Sequence, residues 1–423
     1  MIIGRPEVTY SQSELVVTAR IASERASPAL PESLWFAFPR SCSDHLDDGV
    51  GGFAAALLPL AMHRGEPLRV DGPLSPRLAH GLREYQRLQC AWRPGLFRPV
   101  EIHCPDLRDA RRDRSPWAVG LAFSGGVDSV HALWSHLPQN EPLPASRVTH
   151  CLMVNGFDED TDLDGKGAFQ SIRQLYEAMM AGLGLELIVV RTNLGEFLDA
   201  LLRYHSYGAF LTAPALLLGR LLARFYIAAE WKFTMQGLRP SGSHVILDHL
   251  LATESMQTLT AGAHLSRVEK TVALAGWPEI YDRLRVCWRP TGVQADRAAI
   301  ANCCACPKCL RTMMTLDAAG ALARFGCFPR PLLRERIRTT DYSWEPSVRF
   351  VQEVMEFAAR QGRVDLVRDI RWALFRSRWL RPALRRAVRM SWWLEGRSRV
   401  YRALIAQPKR VAKRRGWYTS QPY

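Results

Sequence analysis

The chain has 423 residues, 48% of them hydrophobic and 23% charged, which excludes a disordered tail, a collagen or a coiled coil and is enough for two or three domains. Its formal net charge is +15. No apolar run approaches the roughly 18 residues that cross a bilayer, and residues 1–10 lack a basic-then-apolar leader, so the expected location is the cytoplasm.

The charge is not spread evenly. Residues 331–423 hold 22 Arg and Lys against 8 Asp and Glu, a net of +14, so the first 330 residues are close to neutral. Fifty Arg against six Lys makes an Arg count weak evidence for phosphate binding and gives each Lys more weight. Ten cysteines do not make a disulfide scaffold at this length, and the crowding of four between Cys303 and Cys309 favours a metal site in a reducing compartment.

Three regions follow in chain order. Residues 1–115 read as an N-terminal α+β domain, with strands at Leu15–Ile21 and Leu34–Phe38, a helix at Arg77–Gln89, no recognisable chemical motif, and a charged surface linker at Asp106–Arg114. In residues 116–330, strands expected at Trp117–Phe123, Cys151–Asn155, Leu185–Val190 and Phe233–Gln236 alternate with helices at Ala168–Ala181, Leu194–Leu202 and Leu216–Ala229. That rhythm predicts an α/β fold with a mostly parallel, doubly wound sheet, whose ligand would lie at the carboxyl ends of the strands. Residues 331–423 read as a basic helical region holding six of the thirteen Trp.

Directly after the first of these strands comes Ser124-Gly125-Gly126-Val127-Asp128-Ser129, followed by a helical segment. Adjacent glycines let the backbone turn its N–H groups toward an anion, and a helix start adds its positive dipole end. Ser124 and Ser129 can donate to phosphate oxygens, and Asp128 beside a polyanion makes sense if it holds a bridging Mg²⁺ ion. An ordinary strand-to-helix turn is the plain alternative. No Walker A pattern is present. SGGVDS at the end of a buried strand resembles the signature loop of the PP-loop ATP pyrophosphatase superfamily, whose adenine nucleotide alpha hydrolase-like fold the resemblance implies. It also implies ATP cleavage to AMP and pyrophosphate with an adenylated substrate, and assigns Ser124, Gly125, Gly126, Val127, Asp128 and Ser129 to nucleotide binding.

Cys303-x2-Cys306-x2-Cys309, with Cys287 upstream across fifteen residues, supplies four thiols, enough for a closed structural Zn²⁺ site. Pro307 fits the first turn of a helix running to about Leu316, Cys287 would sit on a strand Leu284–Trp288, and Cys304 is surplus. A redox dithiol of Cys306 and Cys309 is the competing reading. A PP-loop followed by this cysteine motif is similar to the 7-cyano-7-deazaguanine synthase family over roughly residues 117–325. The family's first two cysteines are closer together, and the region before 117 and the basic tail are additions. The resemblance implies activation of a small-molecule acid for attack by ammonia or an amine, with ATP, Mg²⁺ and Zn²⁺ as cofactors.

Between the motifs, Asn155-Gly156-Phe157-Asp158 ends a strand where adenine and ribose would lie. Gly156 permits close approach and Asp158 can accept from ribose, although a surface turn explains the same letters. Gly242-Ser243-His244, with Asp248 following, should reach the same edge, where His244 either orients substrate and moves a proton or is structural. Arg267 and Lys270 are three positions apart on one helix face, which meets either pyrophosphate or solvent. Lys308 and Arg311 are expected to balance the thiolates.

In the tail, Trp372, Phe375 and Trp379 form one apolar stripe, and Leu384, Val388 and Trp392 a second beyond Pro382, both flanked by Arg. Packing on the catalytic domain, tRNA or other nucleic acid, an anionic surface and a partner protein remain as partners for this region, with the run Lys409–Arg415 adding charge. A non-catalytic ATP sensor or scaffold and a tRNA-modifying enzyme stand beside the adenylating reading.

Overall fold

The computed structural model describes residues 1–23, 29–109, 117–156, 168–236, 241–287, 292–294, 298–343 and 345–380. The chain divides into two compact units, Met1–Leu332 and Leu333–Tyr423.

In the first unit the elements are, in order, β1 (Ile2–Ile3), β2 (Glu7–Tyr10), β3 (Glu14–Ala22), β4 (Ser33–Pro39), α1 (Gly51–Arg64), β5 (Leu68–Val70), α2 (Pro76–Trp92) and β6 (Ile102–His103). They continue with β7 (Ala118–Ala122), α3 (Val127–Ser135), β8 (His150–Asn155), α4 (Ala168–Gly182), β9 (Glu186–Thr192), α5 (Ala200–Leu217) and β10 (Leu222–Ala228). Then come α6 (Phe233–Gln236), β11 (Gln257–Ala261), α7 (Arg267–Leu274) and α8 (Pro307–Ala318).

The eleven described strands form one mixed, largely parallel sheet in the order β11-β10-β7-β8-β9-β4-β3-β1-β5-β6, with β2 paired to β3. The stretch from β11 to β9 is wholly parallel. Every residue of β7 is buried, as expected of a strand covered on both faces. The chain goes from β7 outward to β8 and β9, then returns to the other side of β7 for β10. That reversal makes the carboxyl ends of β7 and β10 the sheet's switch point, where a crevice for ligand is expected.

The expected boundary near residue 115 falls inside this unit. β4 joins β9 antiparallel through Phe36 opposite Thr192 and Ala37 opposite Arg191, so the N-terminal strands extend the same sheet instead of closing a domain of their own. β3 alternates buried and partly exposed positions, the period-2 signature visible in its sequence. α1 is almost entirely buried and lacks a polar face that periodicity could reveal. It lies so close to α5 that a Cβ on Gly52 would stand 2.5 Å from the Ala213 carbonyl oxygen.

Four expected elements are corrected. The helix expected over Leu216–Ala229 is the end of α5 followed by β10, and the strand expected at Phe233–Gln236 is the short helix α6. A fully buried strand is a continuous apolar run that periodicity cannot separate from a buried helix; the aromatic and β-branched content of LARFYIA was the usable signal. The helix expected at Leu194–Leu202 is a 3₁₀ turn, Leu194–Phe197, followed by α5, whose start is fixed by Asp199 accepting the Leu202 amide at 2.7 Å. Residues 284–287 are not a strand; their backbone groups bond to a side chain and a loop instead. The charged run near residue 110 and residues 381–423, including Leu384, Val388, Trp392 and Lys409–Arg415, lie largely or wholly outside the described residues.

The second unit contains α9 (Arg334–Thr339), α10 (Glu345–Arg360) and α11 (Val364–Phe375), extended by a π turn over Arg376–Leu380. Its core is made by Ile337, Phe350, Val351, Val354, Ile370 and Ala373. Buried Asp369 accepts from Arg334 Nε at 2.6 Å, which ties α9 to α11. Trp372, Phe375 and Trp379 are 42%, 49% and 59% exposed, so the expected apolar stripe is open to solvent.

Candidate functional site

The loop between β7 and α3 lies at the crevice. Gly125 has φ +75°, and a Cβ there would fall 1.7 Å from the Tyr176 hydroxyl oxygen, so only glycine fits. Gly126 caps α3 without a side chain, leaving the helix start available to an anion. Ser129 Oγ accepts from the Ser124 amide at 3.2 Å and lies 3.2 Å from Ser124 Oγ, while Ser124 Oγ accepts from the Gly126 amide at 3.3 Å. The two serines thus brace the turn. Val127 is buried beneath it.

Asp128, in the first turn of α3, meets both cations singled out on α7. Arg267 Nη2 bonds Asp128 Oδ2, Arg267 Nε is 3.4 Å from Oδ1, and Lys270 Nζ is 3.3 Å from Oδ1. Burial alone would raise the Asp128 pKa, but Arg267 and Lys270 outweigh it and hold the carboxyl below its ordinary range. The capping box of Ser266 and Glu269 fixes the start of α7 and so the direction of both cations. Lys270 also donates to the Ala229 carbonyl just past β10, and Glu230 stands 3.6 Å from Arg267. Two elements far apart in sequence are therefore clamped across the sheet's switch point.

Other residues of this edge were not anticipated. Glu230 was missed because β10 was read as a helix. Arg311, expected beside the thiolates, is also within electrostatic reach of Arg267, Glu230 and Asp128; burial, with Arg267 next, brings its pKa down to about 9. Buried His131, one turn beyond Asp128, is pushed down to about 4 by desolvation and then by Lys270. Asn155 is buried at the end of β8, with no partner for Oδ1 among the described residues, and Gly156 follows with φ +113°. Asp158 lies outside the described residues.

His244 belongs to a second buried network. Its Nδ1 accepts from the Ile246 amide at 3.2 Å, and its ring stands edge-on to Trp92 and Phe233. Asp248 accepts from Ser243 Oγ at 2.7 Å, Thr260 Oγ1 at 2.6 Å and the His244 amide at 3.2 Å. Through Asp248 these bonds tie the Gly242–His244 turn to β11. Trp92, from the N-terminal region, walls this network.

The four expected cysteines do converge: Cys287, Cys303, Cys306 and Cys309 place their sulfurs within 4.8 Å of one another. Sγ separations of 3.9 Å (Cys287 to Cys306), 3.8 Å (Cys303 to Cys309) and 3.4 Å (Cys306 to Cys309) match the roughly 3.8 Å edge of a tetrahedron with Zn–S bonds of about 2.3 Å. The Cys306 and Cys309 amides point at Cys303 and Cys306 sulfurs at 3.3 and 3.5 Å, which favours thiolates. Cys304 sits outside the cluster at φ +56°, donating to the Asn302 carbonyl. The site could hold zinc with no position left for substrate, which suits a structural ion. Among the described residues Asp128 belongs to no group of three or more potential metal ligands.

No helix among the described residues is long and apolar enough to cross a membrane. No family model, curated protein or solved structure matches the chain.

Proposed function

We propose that the protein is an ATP-dependent adenylating enzyme that activates a carboxylate or amide of a small acid for attack by ammonia or an amine. The observation that carries this reading is the meeting of the Ser124–Ser129 loop with Arg267 and Lys270 at the switch point of the parallel sheet. In the proposed reaction an oxygen of the acid attacks the α-phosphorus of ATP, the bond to the bridging oxygen breaks, pyrophosphate leaves, and the incoming nitrogen then displaces AMP.

The chain's part in this is electrostatic. The start of α3 and the serine-braced turn receive the phosphates, and Arg267 and Lys270 meet the charge that grows on departing pyrophosphate. Asp128 holds those two cations at the crevice before the nucleotide arrives, so little reorganisation is needed when phosphate oxygens replace its own. Mg²⁺ would enter with the nucleotide, and no step is assigned to it. Cys287, Cys303, Cys306 and Cys309 would hold zinc as a brace.

The reading is tested by equilibrium binding of labelled ATP with Mg²⁺, followed by pyrophosphate release with a panel of carboxylic acids and ammonium. Binding and release lost together in Asp128→Asn support it; release unaffected by that change overturns it.

A second reading, tRNA modification through the same adenylation, is favoured by one observation. Exposed Trp372, Phe375 and Trp379 alternate on one helix face with exposed Arg368, Arg371 and Arg378, a combination suited to stacking on bases beside phosphates. It predicts tRNA binding that weakens steeply with salt and is lost on deleting residues 381–423; no binding at low salt removes it.

A further inference from the structure

The segment Arg283–Cys287 touches the phosphate loop at one end and the thiol cluster at the other. The Arg283 carbonyl accepts from Tyr176 Oη at 3.0 Å, and Tyr176 is the side chain against which Gly125 turns. The Arg285 amide donates to the Gly125 carbonyl at 2.8 Å. Two residues on, Cys287 offers its sulfur to the cluster.

Between these contacts stands Asn302, 2% exposed. Its Oδ1 accepts from the Val286 amide at 3.0 Å and the Cys287 amide at 3.2 Å. Its Nδ2 donates to the Leu284 carbonyl at 2.8 Å and the Cys327 carbonyl at 3.0 Å. All four bonds of one amide are used, two in each direction, which fixes its orientation and leaves it little freedom. Asn302 directly precedes Cys303, so the side chain that grips the segment of the first thiol belongs to the turn of the other three.

We infer that Asn302 is a positioning residue that couples the four-thiol site to the phosphate loop. It holds Cys287 in ligand position, and through the five-residue segment Arg283–Cys287 a filled metal site fixes the backbone of Gly125. Alternate residues of the segment face alternate tasks: Arg283 and Arg285 bond toward the loop, Leu284, Val286 and Cys287 toward Asn302. A bound ion that pins Cys287 therefore restrains Arg285, two residues back, and through its amide the Gly125 carbonyl. The link itself stands on these bonds; only its consequence, that metal loss weakens nucleotide binding, rests on the ATP-loop reading proposed above.

The test is hydrogen exchange on the full chain without nucleotide, zinc-loaded and chelator-stripped, following peptides over residues 123–130, 283–287 and 303–309, with β3 as reference. Stripping should speed exchange in the first three spans together, by about tenfold or more, and leave β3 unchanged. Asn302→Ala, with zinc supplied, should loosen residues 123–130 and 283–287 as stripping does. Its cobalt-substituted form should lose thiolate-to-metal charge-transfer intensity as Cys287 leaves the ligand set. Asn302→Asp, which keeps the acceptor for the Val286 and Cys287 amides, should retain more of that intensity than Asn302→Ala. Faster exchange at 303–309 with residues 123–130 unchanged, equal loosening of β3, or a four-thiolate spectrum in Asn302→Ala would each overturn the coupling. None of these readouts involves ATP, so failure here is separable from failure of the adenylation reading.

Discussion

Lys270 Nζ lies 3.3 Å from Asp128 Oδ1 across 142 positions of sequence, and only 1% of the lysine side chain is exposed. A buried ammonium is costly unless a carboxylate balances it, and this one is held against Asp128 in the first turn of α3. Lys270→Met keeps the volume and removes the charge. The expected result is a 10- to 100-fold weaker affinity for ATP, roughly the worth of one charge-assisted contact, with a stability change limited to about 1–3 kcal/mol because Arg267 still balances Asp128. Equilibrium ATP binding and denaturant titration check both halves.

Gly125→Ala should be worse than its size suggests. The backbone is left-handed and the new methyl overlaps Tyr176, a fully buried ring, so the turn must shift. A loss of about 2 kcal/mol or more is expected, with ATP binding falling further than stability, as thermal melts beside binding curves would show.

Strands β7, β8 and β9, the turn after β7, the placing of Arg267 and Lys270 on one helix face and the four-cysteine set could all be read in the sequence. Each is local: a buried run ending in two glycines, two cations on one helix face, thiols at fixed intervals. Glu230, Asn302 and Tyr176 could not be read, because each acts on a residue more than fifteen positions away through a backbone path that no periodicity encodes. His244 is a different case. A histidine in a Gly-Ser turn suggests chemistry, yet its Nδ1 is used by the Ile246 amide and its ring by Trp92 and Phe233. The extent of the sheet was hidden because β4 meets β9 through two residue pairs only.

Cys287 and Cys304 offer a contrast. Cys287→Ser should lower zinc retention by about tenfold or more, whereas Cys304→Ser, outside the sulfur cluster, should leave the metal content at one ion per chain. Metal analysis after dialysis against a weak chelator distinguishes the two. Equal loss in both variants would remove Cys287 from the ligand set.

Asp248 gives a pH signature. Burial raises its pKa from 3.8 to about 6 against the opposing pull of Thr260, Ser243 and the His244 amide. The folded chain therefore holds this proton more tightly than the unfolded chain. Its stabilising contribution is full below about pH 4 and is lost as pH rises through about 6, a difference on the order of 3 kcal/mol. Asp248→Asn cannot titrate, so the stability of the wild type relative to this variant should fall across that window; a constant difference would contradict the assignment.

The central claim is tested most directly by giving the zinc-loaded protein α-labelled ATP, Mg²⁺ and the small-molecule fraction of a cell extract, and resolving labelled AMP from ADP. An adenylating enzyme gives AMP with stoichiometric pyrophosphate in the wild type and neither in Asp128→Asn. Labelled ADP as the product, or ATP bound without any AMP, would contradict it.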